Sequence, residues 1–257
     1  MTTSIHVSVG QVAASLVLVA IAALISRWRG TDLERDIGIA TIRSIVQLTA
    51  IGYAIKLIFE TDSIWLVLAL LSVMVLFGAL TARSRAKRVP NAFWPLLIAL
   101  AVAGAATLGL VVALGIFDPT PRYLVPVGGM VIGNAMTASA VALNRLGDEM
   151  VDSRGRIEAT LALGATARQA ALPTVRRSLR SGTIALIDST KTTGLIFFPG
   201  TMVGMLLAGA DPTDAVRLQL ILLYSLLGSV SIAALLATGL AYRNFFTAAQ
   251  QLREPDR

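Results

Sequence analysis

The sequence predicts an all-α, polytopic membrane protein of about seven transmembrane helices. Three observations carry that prediction. First, 55% of the 257 residues are hydrophobic and only 14% are charged, against about 25% charged in an ordinary soluble domain. Mean hydropathy is +0.74. Second, seven stretches supply the roughly 20 apolar residues that a spanning helix needs. Third, the basic residues gather on one side of those stretches. Disorder is excluded, because it needs low hydrophobicity and high charge.

The stretches run at about 5–26, 37–59, 64–82, 94–117, 123–144, 183–208 and 216–241. The third and fourth are the cleanest, since Trp65 to Leu80 and Trp94 to Phe117 hold no charge. The second carries Arg43, Gln47 and Lys56. Arg43 sits near its cytoplasmic end, where a long side chain can snorkel to water. The fifth carries Gly129 and Gly133, extended by Thr137, and the sixth carries Gly200 and Gly204, extended by Ala208. Small-residue stripes of this kind let helix backbones approach. The sixth also holds Asp188 and Lys191 and is interrupted at Pro199-Gly200.

The segments between stretches set the orientation. One side receives 27–36, 83–93, 145–182 and 242–257, with 17 of the 22 Lys and Arg; the other holds only Lys56, Arg122 and Arg217. The positive-inside rule then places the N-terminus outside and the C-terminus in the cytoplasm. The outer turns are short and acidic, with Glu60, Asp62, Asp118, Asp211 and Asp214. No Lys or Arg precedes the first apolar run, so it does not read as a cleaved signal peptide. The polar tail around Asp256 reads as frayed.

Residues 145–182 form the one long cytoplasmic segment. Ile157, Leu161 and Gly164 fall at helical spacing, as do Leu163 and Ala167. Arg154, Arg156, Arg168, Arg176, Arg177 and Arg180 supply a polar face. Pro173 is expected to end or kink the helix. Two readings fit: a basic amphipathic helix on anionic headgroups, or a docking element for a cytoplasmic partner.

Motifs of the ordinary enzymatic kinds are missing. Cysteine is absent and His6 is the only histidine, so neither a thiol nucleophile nor a multi-histidine metal site exists in one chain. No GxxxxGK[ST], GxSxG or HExxH occurs. A transport role powered by ATP would therefore borrow its ATPase. Asp188 and Lys191, three apart on one helix face, are costly to bury singly, at about 2.5 kcal/mol or more. They are either a mutual ion pair that lets the helix insert or a polar lining for a route. Asn134 needs a polar partner in the membrane. Met130, Met136, Met202 and Met205 are either gap fillers or soft-metal ligands.

Two segments carry a resemblance. Glu158-Ala159-Thr160, then Gly164, then Leu172-Pro173 resembles the EAA loop of ABC-transporter permeases, a short cytoplasmic helix that docks into the ATP-binding subunit. Over nearly the whole chain, Ile132-Gly133-Asn134-Ala135-Met136, Leu161-Ala162-Leu163-Gly164-Ala165, Phe198-Pro199-Gly200-Thr201-Met202-Val203-Gly204 and Asp211-Pro212 through Gln219 are similar to the FetB-type permease family. Thr201, Val203 and Met205 depart from that family's sixth-helix signature. These are bacterial ABC membrane subunits linked to iron export, with plant relatives linked to aluminium tolerance.

The resemblance implies that 1–257 is one transmembrane permease domain in the bacterial cytoplasmic membrane, without catalytic residues or a bound cofactor. It would form a homodimer and pair with a cytoplasmic ATP-binding subunit, which uses the ATP and Mg. Glu158, Ala159, Gly164, Leu172 and Pro173 would couple to that ATPase, within segment 145–182. Asn134, Met136, Asp188, Lys191, Pro199, Gly200 and Met202 would be candidates for the translocation path. Metal ligands are not assigned. The alternatives are an ABC importer permease for another solute, an ion-coupled carrier or channel acting without an ATPase, and a non-transporting scaffold or sensor.

Overall fold

In the computed structural model, residues 8–61 and 63–253 are described; His6, Asp62 and Asp256 lie outside them. The described residues form nine α-helices and a short 3-10 turn, with no strand beyond two isolated bridges. The chain divides into two compact units, Met1–Asp62 and Ser63–Arg257.

The first unit is a helical hairpin of α1 (Val9–Arg29) and α2 (Glu34–Thr61). Ser8 opens α1 with a capping box, its side chain accepting from the Gln11 N–H while Gln11 reaches back to the Ser8 N–H. Such a box satisfies two donors that a helix start leaves orphaned. Gly30, at φ 63°, closes α1 in the left-handed region. Ser26 ties the turn together: its hydroxyl accepts from the Leu33 N–H at 3.0 Å and donates to Glu34 Oε2 at 3.0 Å.

The second unit is a bundle of α3 (Ile64–Arg85), α4 (Phe93–Ala113), α5 (Pro121–Asp152), α6 (Arg154–Ala162), α7 (Ala167–Thr192), α8 (Gly200–Leu207) and α9 (Pro212–Ala241), closed by the 3-10 turn Tyr242–Phe245. Helix α5 is its axis, packed against α3, α4, α7 and α9. The core is built of small residues, Ala79, Ala82, Ala99, Ala103, Ala135, Ala233 and Ala237, locked by Leu96, Leu100, Leu143 and Leu146. Where lipid is as apolar as leucine, close backbone packing is the main source of helix association. Backbone approaches backbone at Gly182, where a Cβ would lie 2.6 Å from the Ala138 carbonyl oxygen and from the Ala142 Cβ. Of the predicted stripes, Gly129 is in contact, since a Cβ there would lie 3.3 Å from Met74 Cε, whereas a Cβ at Gly133, Gly200 or Gly204 would meet no neighbour within 4 Å. Helix spacing identifies small faces, but the partner backbone decides which of them is used.

Among the described residues, six helices are long and apolar enough to cross a membrane: α1 to α5 and α9. The predicted stretch 183–208 is not one continuous helix. Its first half is the end of α7, which stops at Thr192; residues 193–199 are irregular, and α8 is only Gly200–Leu207. Gly194, at φ 86°, turns the chain, and its N–H donates to the Phe197 carbonyl at 2.9 Å. Backbone groups released by the break are thus partly satisfied within the turn.

Segment 145–182 lies within the second unit: α5 carries on to Asp152, α6 follows, and α7 begins at Ala167. At 1.5 Å per residue, the 32 residues of α5 run about 48 Å, well past a hydrocarbon core of about 30 Å. Pro173 does not end the helix: α7 runs through it for 26 residues in all. Pro173 and Gln169, the residue whose carbonyl loses its donor, are both exposed, so solvent can replace the missing bond. The spacing that joined Ile157 and Leu161 to Gly164 is interrupted as well, since α6 closes at Ala162.

Candidate functional site

The helical pair α6–α7 gathers the predicted coupling residues. Ile157 is fully buried and anchors α6 in the main core. The opposite side is exposed: Glu158, Ala159, Leu163, Gly164, Leu172 and Pro173. Leu163, at the tip, is 89% exposed. Gly164 takes φ 88°, and its N–H donates to the Leu161 carbonyl at 2.9 Å. Only glycine adopts that conformation without strain. Thr166 then opens α7 with a second capping box, again with Gln three residues on, at Gln169. Glu158 is held along α6 by Arg154, whose Nε lies 2.8 Å away. The result is a rigid, solvent-facing corner with an apolar tip and charged flanks, suited to insertion into a groove on another protein.

Two supports of this corner escaped the sequence analysis. One is a charge network at its root. Glu149, the one buried charged side chain among the described residues, accepts from Arg145 Nη2 at 2.6 Å and from Arg177 Nε at 2.9 Å. It thereby joins α5 to α7. It lies beyond the 123–144 stretch, where the sequence has turned polar. The hydrogen bond from Arg177 holds its carboxyl below the ordinary value; burial opposes this, and the charges of Arg177, Arg145 and Arg156 reinforce it. The i,i+4 spacing of Arg145 and Glu149 was visible in the sequence; the link to Arg177 was not.

The second support is the segment after the 3-10 turn. Phe245 and Phe246 are buried in the main core, and Phe246 bridges to Leu252. The Gln250 side chain accepts from the Ala167 N–H at 2.9 Å, satisfying a free donor in the first turn of α7. The Arg253 carbonyl accepts from Arg154 Nη1 at 2.9 Å. One short strap therefore holds both α6 and α7.

The predicted path residues lie on α5, on α7 and at the start of α8. Asp188 and Lys191 pair with each other at 3.0 Å, with 58% and 66% of their side chains exposed. Asn134 is exposed on α5, and its amide donates back to the Met130 carbonyl at 2.9 Å. Thr137, one turn on, is exposed too and donates to the Gly133 carbonyl. Met136 packs against the main core. Pro199 caps α8, Gly200 begins it, and Met202 is half-buried. A neighbouring link was missed: the Thr201 hydroxyl donates to Oε1 of the buried Gln219 at 2.8 Å, tying α8 to α9. Among the described residues no three His, Cys, Asp or Glu side chains cluster as a metal site would require.

Comparison with known proteins fits this architecture. Residues 9–246 match the family model described as "Uncharacterised protein family (UPF0014)". The chain is 38% identical to Protein ALUMINUM SENSITIVE 3 of Arabidopsis thaliana, over 94% of this chain and 88% of the relative. It is 36% identical to the Probable iron export permease protein FetB of Escherichia coli, over 93% of each. It is equally 36% identical to the UPF0014 membrane protein YjkA of Bacillus subtilis, over 93% of this chain and 96% of the relative. No solved structure matches it.

Proposed function

This chain belongs to the UPF0014 family of multi-pass membrane proteins, and from that premise we propose that it is the permease subunit of an ABC transporter. A separate ATP-binding subunit supplies the energy and uses the ATP and Mg. Two permease chains assemble with two ATPases, and the transported species is a metal ion, with iron the first candidate from the name of the Escherichia coli relative. The membrane is the bacterial cytoplasmic membrane, with the basic end of the bundle inside.

The observation that carries this reading is the α6–α7 corner. It is rooted by Ile157 and Glu149 and exposes Leu163 at its tip. A partner that pushes on such a corner moves α5 and α7 together. Polar side chains exposed on α5 and α7, Asn134, Thr137, Asp188 and Lys191, support the second copy. In lipid they would be costly, whereas a protein neighbour or a water-filled route accommodates them. The Asp188–Lys191 pair is neutral overall and serves as lining rather than as a metal ligand.

The test is co-purification with the ATP-binding subunit, followed by ATPase stimulation across a panel of metal ions and organic solutes. Glu158→Lys and Gly164→Val are expected to weaken retention of the ATPase about tenfold and to uncouple hydrolysis from transport, while the chain still inserts into membranes. If pull-down and transport both survive these changes, the coupling assignment is wrong.

A further inference from the structure

A second polar site lies on the basic end of the bundle, away from the α6–α7 corner. It is a pocket of about 530 Å³ between the end of α3 and the polar extension of α5. Arg85 closes α3, and Lys87 and Arg88 follow on the turn. Arg145, Asp148 and Asp152 face them from α5. Cations outnumber carboxylates two to one. They are also unequally engaged. Arg88 Nη1 holds Asp148 at 2.8 Å, and Arg145 holds Glu149. Arg85 and Lys87 make no ion pair among the described residues.

The pocket is preformed. The turn bearing Lys87 and Arg88 rests directly on Gly147, where a Cβ would stand 2.8 Å from the Arg88 Cβ. Ala86, Val89 and Ala92 are buried beneath it. The Asn244 amide donates to the Pro90 carbonyl at 2.9 Å and clips the turn from the far end of the chain. Ordering such a site on binding costs little, because the backbone is already in place.

Its height is informative. Arg85 lies three residues past the apolar stretch of α3, and Asn144 and Arg145 stand where that of α5 ends, so the pocket sits at the boundary between hydrocarbon and water. One to two turns below, the same helices expose Phe77, Leu80 and Val141. Cationic side chains above and bare apolar surface below are the complement of a phospholipid, headgroup above chains. Basic pockets between membrane helices bind anionic headgroups in this way.

We infer that this pocket binds the phosphate of an anionic phospholipid, with Arg85 and Lys87 as its principal partners. Asp152 on the rim accepts from a hydroxylated headgroup such as glycerol. The inference rests on the chain being a membrane protein and needs no ATPase.

The full chain is reconstituted into nanodiscs of phosphatidylcholine alone and of phosphatidylcholine with phosphatidylglycerol. The expected result is a higher unfolding temperature with phosphatidylglycerol, and retention of that lipid by native mass spectrometry. Lys87→Gln should weaken retention roughly fivefold, and the double change with Arg85→Gln roughly 25-fold. Arg217→Gln, at the other end of the bundle, should leave it unchanged. Full lipid dependence in the double variant would overturn the assignment. So would an equal rise produced by inorganic phosphate in phosphatidylcholine discs, which would make this a soluble-phosphate site. The single Lys87→Gln change, at an exposed position without an ion pair, keeps the measurement decisive if the double variant is poorly folded.

Discussion

Replacing Glu149 with glutamine leaves Arg145 and Arg177 facing a neutral amide. Both arginines are about half exposed, at 48% and 44%, so water recovers part of the loss. A destabilisation of about 1–3 kcal/mol is expected, read as a lower unfolding midpoint in detergent. The pH dependence has a definite sign. Because the folded carboxyl titrates below its ordinary value of 4.5, its contribution is complete above that pH and fades as pH falls toward the folded value. The gap between wild type and Glu149→Gln should therefore narrow below pH 4.5; a constant gap would assign the effect to packing. At this scale the sequence was informative wherever partners are close in the chain. The Asp188–Lys191 contact, three residues apart, was among the readings the sequence left open, whereas Gly164 was placed on a helical spacing that its turn breaks. The Glu149–Arg177 contact spans 28 residues, and no local pattern marks it, since its geometry is created by α5 and α7 packing at Gly182.

Among the elements, the spans were legible because hydropathy is a local property, and α1 to α5 and α9 follow it closely. The division of 183–208 was half legible. Pro199-Gly200 marked its far edge, but the stop at Thr192 depends on the turn that Gly194 makes. Pro173 does not end α7, because its cost depends on whether solvent reaches the freed carbonyl, which is a tertiary fact. The strap after the 3-10 turn was read only as part of the cytoplasmic segment 242–257, although it holds the corner. Deleting residues 247–257 removes the acceptors for Ala167 and Arg154. Limited trypsin digestion should then cleave faster after Arg154, Arg156 and Arg168, by about tenfold if the corner loses about 1.4 kcal/mol of local stability. Unchanged cleavage would show that Ile157 alone fixes α6.

On the scale of the whole molecule, the net charge of +7 is less informative than its distribution. The basic end carries the α6–α7 corner, the Glu149 network and the pocket at Arg85; the other end carries short acidic turns. Because the chain has no cysteine, single cysteines report orientation without background. With a membrane-impermeant maleimide, Ala210→Cys should label in intact cells, and Leu163→Cys only after the membrane is opened. The reverse pattern would invert the topology and move the corner away from any cytoplasmic ATPase.

The strap also has a consequence for the order of events during synthesis. The first turn of α7 leaves the ribosome 83 residues ahead of the side chain that caps it. Its neighbour α6 waits longer still, 99 residues from Arg154 to the Arg253 carbonyl. The corner therefore acquires its final bracing only when translation has passed both. A chain terminated before the strap presents an unbraced corner, so synthesis of the strap is itself a condition for the corner's final form.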